Sequence, residues 1–165
     1  MEKEEKNMGS QREMFFGQGP KMIRPAMLAA ALGGAAAWAW PSVFLFPAGF
    51  LQPLRALIGW MLVLAAFGLY FWGMVRLLRA MKEDRLDTDG PFALVRHPMY
   101  SAWLVFLFPG LALVTGAWAI VAASVAGWFA FRRWAPVEER SMLDRFGPAY
   151  ERYREQVPAL IPIPR

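Results

Sequence analysis

Residues 56–75 read ALIGWMLVLAAFGLYFWGMV, a run with no charged side chain, closed by Arg55 on one side and Arg76 on the other. A helix rises about 1.5 Å per residue, so a run of this length covers a hydrocarbon core about 30 Å thick. Two more nearly uncharged stretches flank it, 25–54 and 97–131. The charges fall between these stretches. Of 18 Lys and Arg, five lie in 1–24, five in 76–96 and seven in 132–165, with Arg55 alone outside, and all 13 acids share the same three blocks. A soluble helix or strand mixes polar and apolar positions at a period of 3.6 or 2. Mixing by blocks is the pattern of membrane spans joined by aqueous segments.

Four spans follow: about 26–46, 54–78, 99–115 and 118–134. Buried helices of a soluble bundle are the weaker reading, because apolar residues all round four helices leave no wet face. The last two spans are joined only by Thr115, Gly116 and Ala117, which predicts a tight antiparallel hairpin. Trp38, Trp40, Trp118 and Trp134 fall near span ends, where aromatic belts form. With four spans, both termini and the 79–97 loop share one side. That side carries 17 of the 18 basic residues, which makes it cytosolic. The expected organisation is a mobile cytosolic leader over 1–24 and one transmembrane domain over 25–165, its tail beginning at 135. Gly33-Gly34 in the first span permits close helix packing, within the chain rather than across a dimer.

Composition agrees. Apolar residues make up 57% and charged residues 19% of the 165 positions, against about 45–50% and about 25% in an average chain. Cysteine is absent, which excludes disulfides, thiolate metal sites and a cysteine nucleophile. One histidine excludes a multi-histidine metal centre, and no metal is expected. The net charge of +5 does not point to nucleic acid, since the basic residues are interleaved with acids and hug span ends. The polar start followed by several spans argues against a cleaved signal peptide.

The chemistry-bearing residues gather at one membrane level. Residues 84–100 read DRLDTDGPFALVRHPMY. Gly90-Pro91 marks a turn. Pro98 suits the first position of a new helix, which makes His97 the N-cap of the third span. The free amides of such a start can bind a carboxylate or phosphate. Tyr100 lies near the same face, and Arg96 adds a fixed charge. Arg96 and His97 taken alone are as well explained as headgroup anchors. Beyond the fourth span, Glu138-Glu139 reads either as an ion-paired helix start or as a site for a cation. Phe146, Tyr150, Tyr153 and Val157 mark one apolar face of a tail helix, lying on the membrane or folded back over the loop. Pro158, Pro162 and Pro164 then forbid a regular helix.

The ordered set R-H-P-x-Y (Arg96, His97, Pro98, Tyr100), an apolar hairpin, E-E (Glu138, Glu139) and F-G-x-x-Y-x-x-Y-x-x-x-V-P (Phe146 to Pro158) resembles the isoprenylcysteine carboxyl methyltransferase and phospholipid methyltransferase superfamily, and most closely its short prokaryotic members. The likeness covers about residues 54–160. It implies an all-α integral membrane protein whose cytosolic C-terminal helical segment completes a pocket for S-adenosyl-L-methionine. It implies methyl transfer to a lipophilic small-molecule or lipidated acceptor that arrives through membrane lipid. The cofactor-binding set carried over is Leu86, Thr88, Phe92, Arg96, His97, Tyr100 and Glu138. Arg133 and Glu139 face the acceptor as catalytic residues, with Arg132 equally placed by sequence. The family often has Tyr at Phe92, Gly at Ala102 and an apolar residue at Asp87. An amine acceptor calls for a base, for which Glu139 serves, and a carboxylate acceptor for an arginine clamp, for which Arg133 serves. Phospholipid headgroup N-methylation is the alternative reaction. A membrane reductase of sterol-reductase-like shape is the alternative class.

Overall fold

The computed structural model describes residues 19–46, 49 and 51–162, and among these every regular element is helical. Five helices carry the fold: α1 (Gly19–Ala39), α2 (Gln52–Lys82), α3 (Pro98–Thr115), α4 (Val121–Phe146) and α5 (Pro148–Gln156). Single turns at Pro41–Phe44 and Pro91–Leu94 punctuate the connections. Proline stands in the first turn of α2, α3 and α5, where its missing N–H costs nothing. Gly116, at φ +80°, closes α3 in the left-handed region.

Helices α1, α2 and α3 are long and apolar enough to cross a membrane. Large apolar side chains on their outer faces, including Leu64, Phe67, Phe71 and Trp72 of α2, are exposed. A soluble surface does not tolerate so continuous an apolar belt; lipid does. The chain is a multi-pass, all-helical membrane protein.

Helix bounds depart from the sequence expectation in three places, each for a local reason. The first helix runs 19–39 rather than 26–46. Pro41 forces Trp40 out of helical geometry, to φ −132° and ψ 67°, and so ends the helix early. At its other end Gly19–Arg24 is already helical with Met22 buried, while residues 1–18 of the expected leader lie outside the described residues. The fourth helix does not stop near Trp134 but continues through Pro136 to Phe146. Arg132 and Pro136 are both exposed, so the carbonyl that Pro136 leaves without a donor faces outward.

The third departure is in α3, which winds as a π-helix over Ala102–Leu107. Pro109 lies just beyond. It cannot donate to the carbonyl of Val105, and its ring would strike that carbonyl in a regular helix. The helix relieves the conflict by widening.

The hairpin between α3 and α4 forms as expected. Phe46 N–H donates to Gly116 O at 2.8 Å, and Trp118 Nε1 donates to Val43 O at 2.9 Å. The two uncharged connections therefore meet at one end of the bundle. Arg55 sits at this end, its guanidinium 5.5 Å from the Phe46 ring. Inside, α1 packs on α4, and α3 lies between α2 and α4 around Leu104, Phe108, Ala112, Ala123 and Phe131. Gly33 packs within the chain, on the Ala119 carbonyl, while Gly34 faces open space.

The α2–α3 crossing brings backbone against backbone. A Cβ added at Gly59 would lie 2.8 Å from the Gly110 carbonyl oxygen, whereas one at Gly68, on the same helix, would meet nothing within 4 Å. We expect Gly59→Ala to destabilise the protein in detergent by about 1–3 kcal/mol through overpacking against backbone. Gly68→Ala should be neutral or stabilise by about 0.5–1 kcal/mol through helix propensity. Thermal melts of the two variants beside wild type check this, and equal shifts would refute the packing described.

Candidate active site

The site is assembled at the end of the bundle where α2 ends, α3 begins and α4 emerges. The loop after α2 turns back on its own helix because Arg76 grips Asp87 with both nitrogens, Nε to Oδ2 at 2.8 Å and Nη2 to Oδ1 at 2.6 Å. Those bonds hold the Asp87 carboxyl below the usual carboxylate range despite its burial. An acid at this position is therefore neutralised by a partner eleven residues earlier rather than left bare. Gly90, at φ +58°, lets the loop pass tightly over the Trp72 ring, and Phe92 is then directed inward and buried.

His97 is the N-cap of α3, in non-helical geometry at φ −123° and ψ 66°, with Pro98 in the first turn. Its ring is flanked by the two glutamates of α4. Adjacent helix positions point about 100° apart, so Glu138 and Glu139 reach it from two directions. Nδ1 lies 3.8 Å from Glu138 Oε2, and Nε2 lies 3.3 Å from Glu139 Oε1. Tyr100 donates its hydroxyl to Glu138 Oε1 at 2.9 Å. Phe131 closes the floor, its ring 5.1 Å from His97 and 5.8 Å from Tyr100.

The two carboxylates differ in environment. Burial pushes Glu138 up from its ordinary range, only partly opposed by His97 and the Tyr100 hydrogen bond. Burial pushes Glu139 the same way, but hydrogen bonds from His97 and Arg96 outweigh it and hold the group at about 2. The His97 hydrogen bond leads, and Arg96 adds its own: Nε and Nη2 lie 3.0 and 2.7 Å from Glu139 Oε1. Its remaining nitrogen, Nη1, donates to the carbonyls of Arg154 and Val157 at the end of α5.

Most of these groups border a cavity that opens to solvent, with about 860 Å3 of space between its walls once the open mouth is included. Leu86, Phe92, Arg96, His97, Tyr100 and Glu138 all line it. Three other expected site residues do not. Thr88 is exposed on the loop. Glu139 turns to Arg96 and His97. Arg133 is exposed on α4, with its guanidinium 4.9 Å from the Trp134 ring. Arg132 likewise lies over Trp128, at 5.0 Å. The tail helix takes the folded-back alternative: Tyr150 and Tyr153 are buried, form the far wall, and Tyr153 donates to the Phe92 carbonyl at 2.7 Å. Sequence reasoning did not single out Ser101, Met81 or Met142. The methionines line the cavity, and Ser101 is buried behind His97. Only the i, i+4 step from His97 to Ser101 hinted at the last.

Residues 50–144 match the model of the isoprenylcysteine carboxyl methyltransferase family. Among similar proteins, a protein-S-isoprenylcysteine O-methyltransferase of Schizosaccharomyces pombe is 33% identical over 82 residues, 50% of this chain and 35% of the relative. A protein-S-isoprenylcysteine O-methyltransferase B of Arabidopsis thaliana is 28% identical over 85 residues, 52% of this chain and 43% of the relative. A protein of the same description from Tribolium castaneum is 32% identical over 77 residues, 47% of this chain and 27% of the relative. The matched region thus spans less than half the length of each of these relatives. No solved structure matches the chain. Since the family model covers more than half of the sequence, from the start of α2 through the flanked histidine to both glutamates, this chain belongs to the isoprenylcysteine carboxyl methyltransferase family.

Proposed function

We propose that the chain is an S-adenosyl-L-methionine-dependent methyltransferase that methylates the carboxylate of a lipophilic acceptor at the cytosolic face of the membrane. The observation that carries this reading is Glu138: a buried carboxylate on the cavity wall, joined to Tyr100 and lying near His97 but touching no arginine or lysine in the ion pairs described. Such a group favours a cationic ligand, which compensates the charge that burial penalises. S-adenosyl-L-methionine carries an ammonium and a sulfonium. Its adenine would suit the apolar walls offered by Leu86, Phe92, Met81 and Met142. The cytosolic assignment rests on the basic residues, which all but Arg55 lie toward this end of the bundle or in the segments joined to it.

When bound, the cofactor supplies an electrophilic methyl group, whose bond to sulfur breaks as a bond to the acceptor oxygen forms. The residues of this chain hold and orient. Glu138 pairs with positive charge, Tyr100 fixes the rotamer of Glu138, and Phe131 keeps water from below His97. Positioning of this kind contributes about 7–11 kcal/mol where reacting groups are well aligned.

Glu139 supports one acceptor chemistry over the other. An amine acceptor must lose a proton, and a carboxylate held at about 2 by Arg96 and His97 is a poor base near neutral pH. A carboxylate acceptor needs no base, which favours it over phospholipid headgroup N-methylation. The similar proteins of Schizosaccharomyces pombe and Arabidopsis thaliana are protein-S-isoprenylcysteine O-methyltransferases, which supports that choice. Arg133 is the candidate clamp for the acceptor. It is exposed on α4, little more than one turn before Glu138, and does not line the cavity, so it would meet an acceptor outside the cavity rather than within it. Glu139 itself acts by fixing Arg96 and His97.

Two outcomes test the reading. Glu138→Gln should weaken binding of S-adenosylhomocysteine by about 10- to 100-fold, the loss expected for a charge-assisted bond. Titration calorimetry in detergent measures it, and a folded wild-type protein without saturable binding would sink the proposal. The same variant should be as stable as wild type or more so without ligand at pH 8. The folded-state value of Glu138 is raised, so its favourable contribution is present below its unfolded value and lost as pH rises through the folded one. The advantage of the glutamine should therefore shrink as pH falls toward 4–5. Glu139→Gln should show the opposite trend. Wild type keeps the Glu139 contribution above about 4.3 and loses it as pH falls toward about 2, while the variant lacks that dependence.

A further inference from the structure

We propose that Ser101 and Arg96 are positioning residues. They clamp the C-terminal segment Val157–Leu160 against the start of α3, and through it they set the affinity of the cavity for its cofactor. This rests on the reading that the cavity next to His97 holds the cofactor.

After α5 the chain cannot continue as a helix, because Pro158 follows Val157. It runs back past the N-terminus of α3 as a strap. Three consecutive carbonyls of the strap accept hydrogen bonds from three donors of one short segment. Arg96 N–H donates to Pro158 O at 2.8 Å, and His97 N–H donates to Ala159 O at 3.0 Å. Ser101 Oγ lies 2.6 Å from Leu160 O and 3.1 Å from His97 O, so its single proton goes to the nearer, Leu160. Ser101 is only 1% exposed, and Leu160 packs into the core of the bundle. The Arg96 side chain adds a fourth tie by capping the last turn of α5 through the Arg154 and Val157 carbonyls.

The strap is therefore joined to the site at both ends. It continues from the helix whose Tyr150 and Tyr153 form one cavity wall, and it holds the backbone of His97, whose ring forms another. Ser101 does not line the cavity. A serine whose side chain is part of neither wall would nonetheless fix the spacing between them. A merely structural serine would affect melting without affecting ligand affinity. A positioning serine affects both the strap and the affinity.

The test uses the full-length chain in detergent, with S-adenosylhomocysteine as probe. Ser101→Ala should speed hydrogen exchange at the Arg96 and His97 amides by about tenfold and weaken probe binding by about tenfold, the scale of one lost buried hydrogen bond. Ser101→Cys, nearly isosteric and a weaker donor, should fall between alanine and wild type in both readouts. That ordering guards against a simple folding defect. Unchanged exchange at the two amides would overturn the clamp. Faster exchange with unchanged affinity would overturn the positioning role while leaving the cofactor reading intact. A wild-type protein that exchanges slowly at these amides but binds no probe would overturn the cofactor reading, and with it the role given to the strap.

Discussion

Arg96 meeting Glu139 is the interaction on which the rest of this end of the molecule depends. The pair joins the loop before α3 to α4, and the arginine's free nitrogen carries the link on to the end of α5. Both side chains are largely buried, at 9% and 15% exposure, so each bears a desolvation cost that only good geometry offsets. Here several hydrogen bonds offset it. Glu139 Oε1 faces Arg96 Nε, Arg96 Nη2 and His97 Nε2, and the remaining guanidinium nitrogen finds two carbonyls. Removing one partner from such an arrangement typically costs about 3–5 kcal/mol, because the other charge stays buried. The neighbouring Glu138 is spared this role. One acid of the pair is committed to structure and the other is free to face a ligand.

That division places the functional chemistry at a boundary between two packing regimes. On the membrane side the bundle is held by small residues and backbone approach: Gly59 on Gly110, Gly33 on Ala119, and Ala26 beside Gly127. On the other side the second cluster is aromatic and polar-tipped, with Phe92, Tyr150 and Tyr153 packed under Leu86, Met142 and Val157. His97 and Tyr100 stand where the two meet, with Phe131 of the first cluster beneath them.

Much of this was legible in the sequence because hydropathy and charge report depth. The uncharged stretches located the helices, Pro98 marked the start of α3, and Gly116 marked the hairpin. The shared level of His97 and the two glutamates followed from their positions beside span ends, and they do meet. Direction around a helix axis was less legible. Glu139 and Arg133 were assigned alike, yet the first turns inward to an arginine and the second lies outside on Trp134. Thr88 lies on a loop whose course depends on the Arg76–Asp87 pairing, a contact that sequence spacing does not announce. The strap was invisible for a different reason. Its partners are main-chain carbonyls, which every residue possesses and no side-chain pattern marks. The end of α4 was less legible too: the expected span closes at 134, while the helix runs on past Pro136, whose outward face lets it be accommodated.

The widened winding at Ala102–Leu107 has a consequence for aim. Taking one additional residue into a helical turn rotates everything above it by about 100° relative to a regular helix. His97 and Tyr100 stand directly above that turn, and Pro109, which provokes it, lies deeper among the spans. The bearing of the imidazole and the phenol toward α4 is thus dialled from within the lipid, by a residue that has no place on the cavity wall.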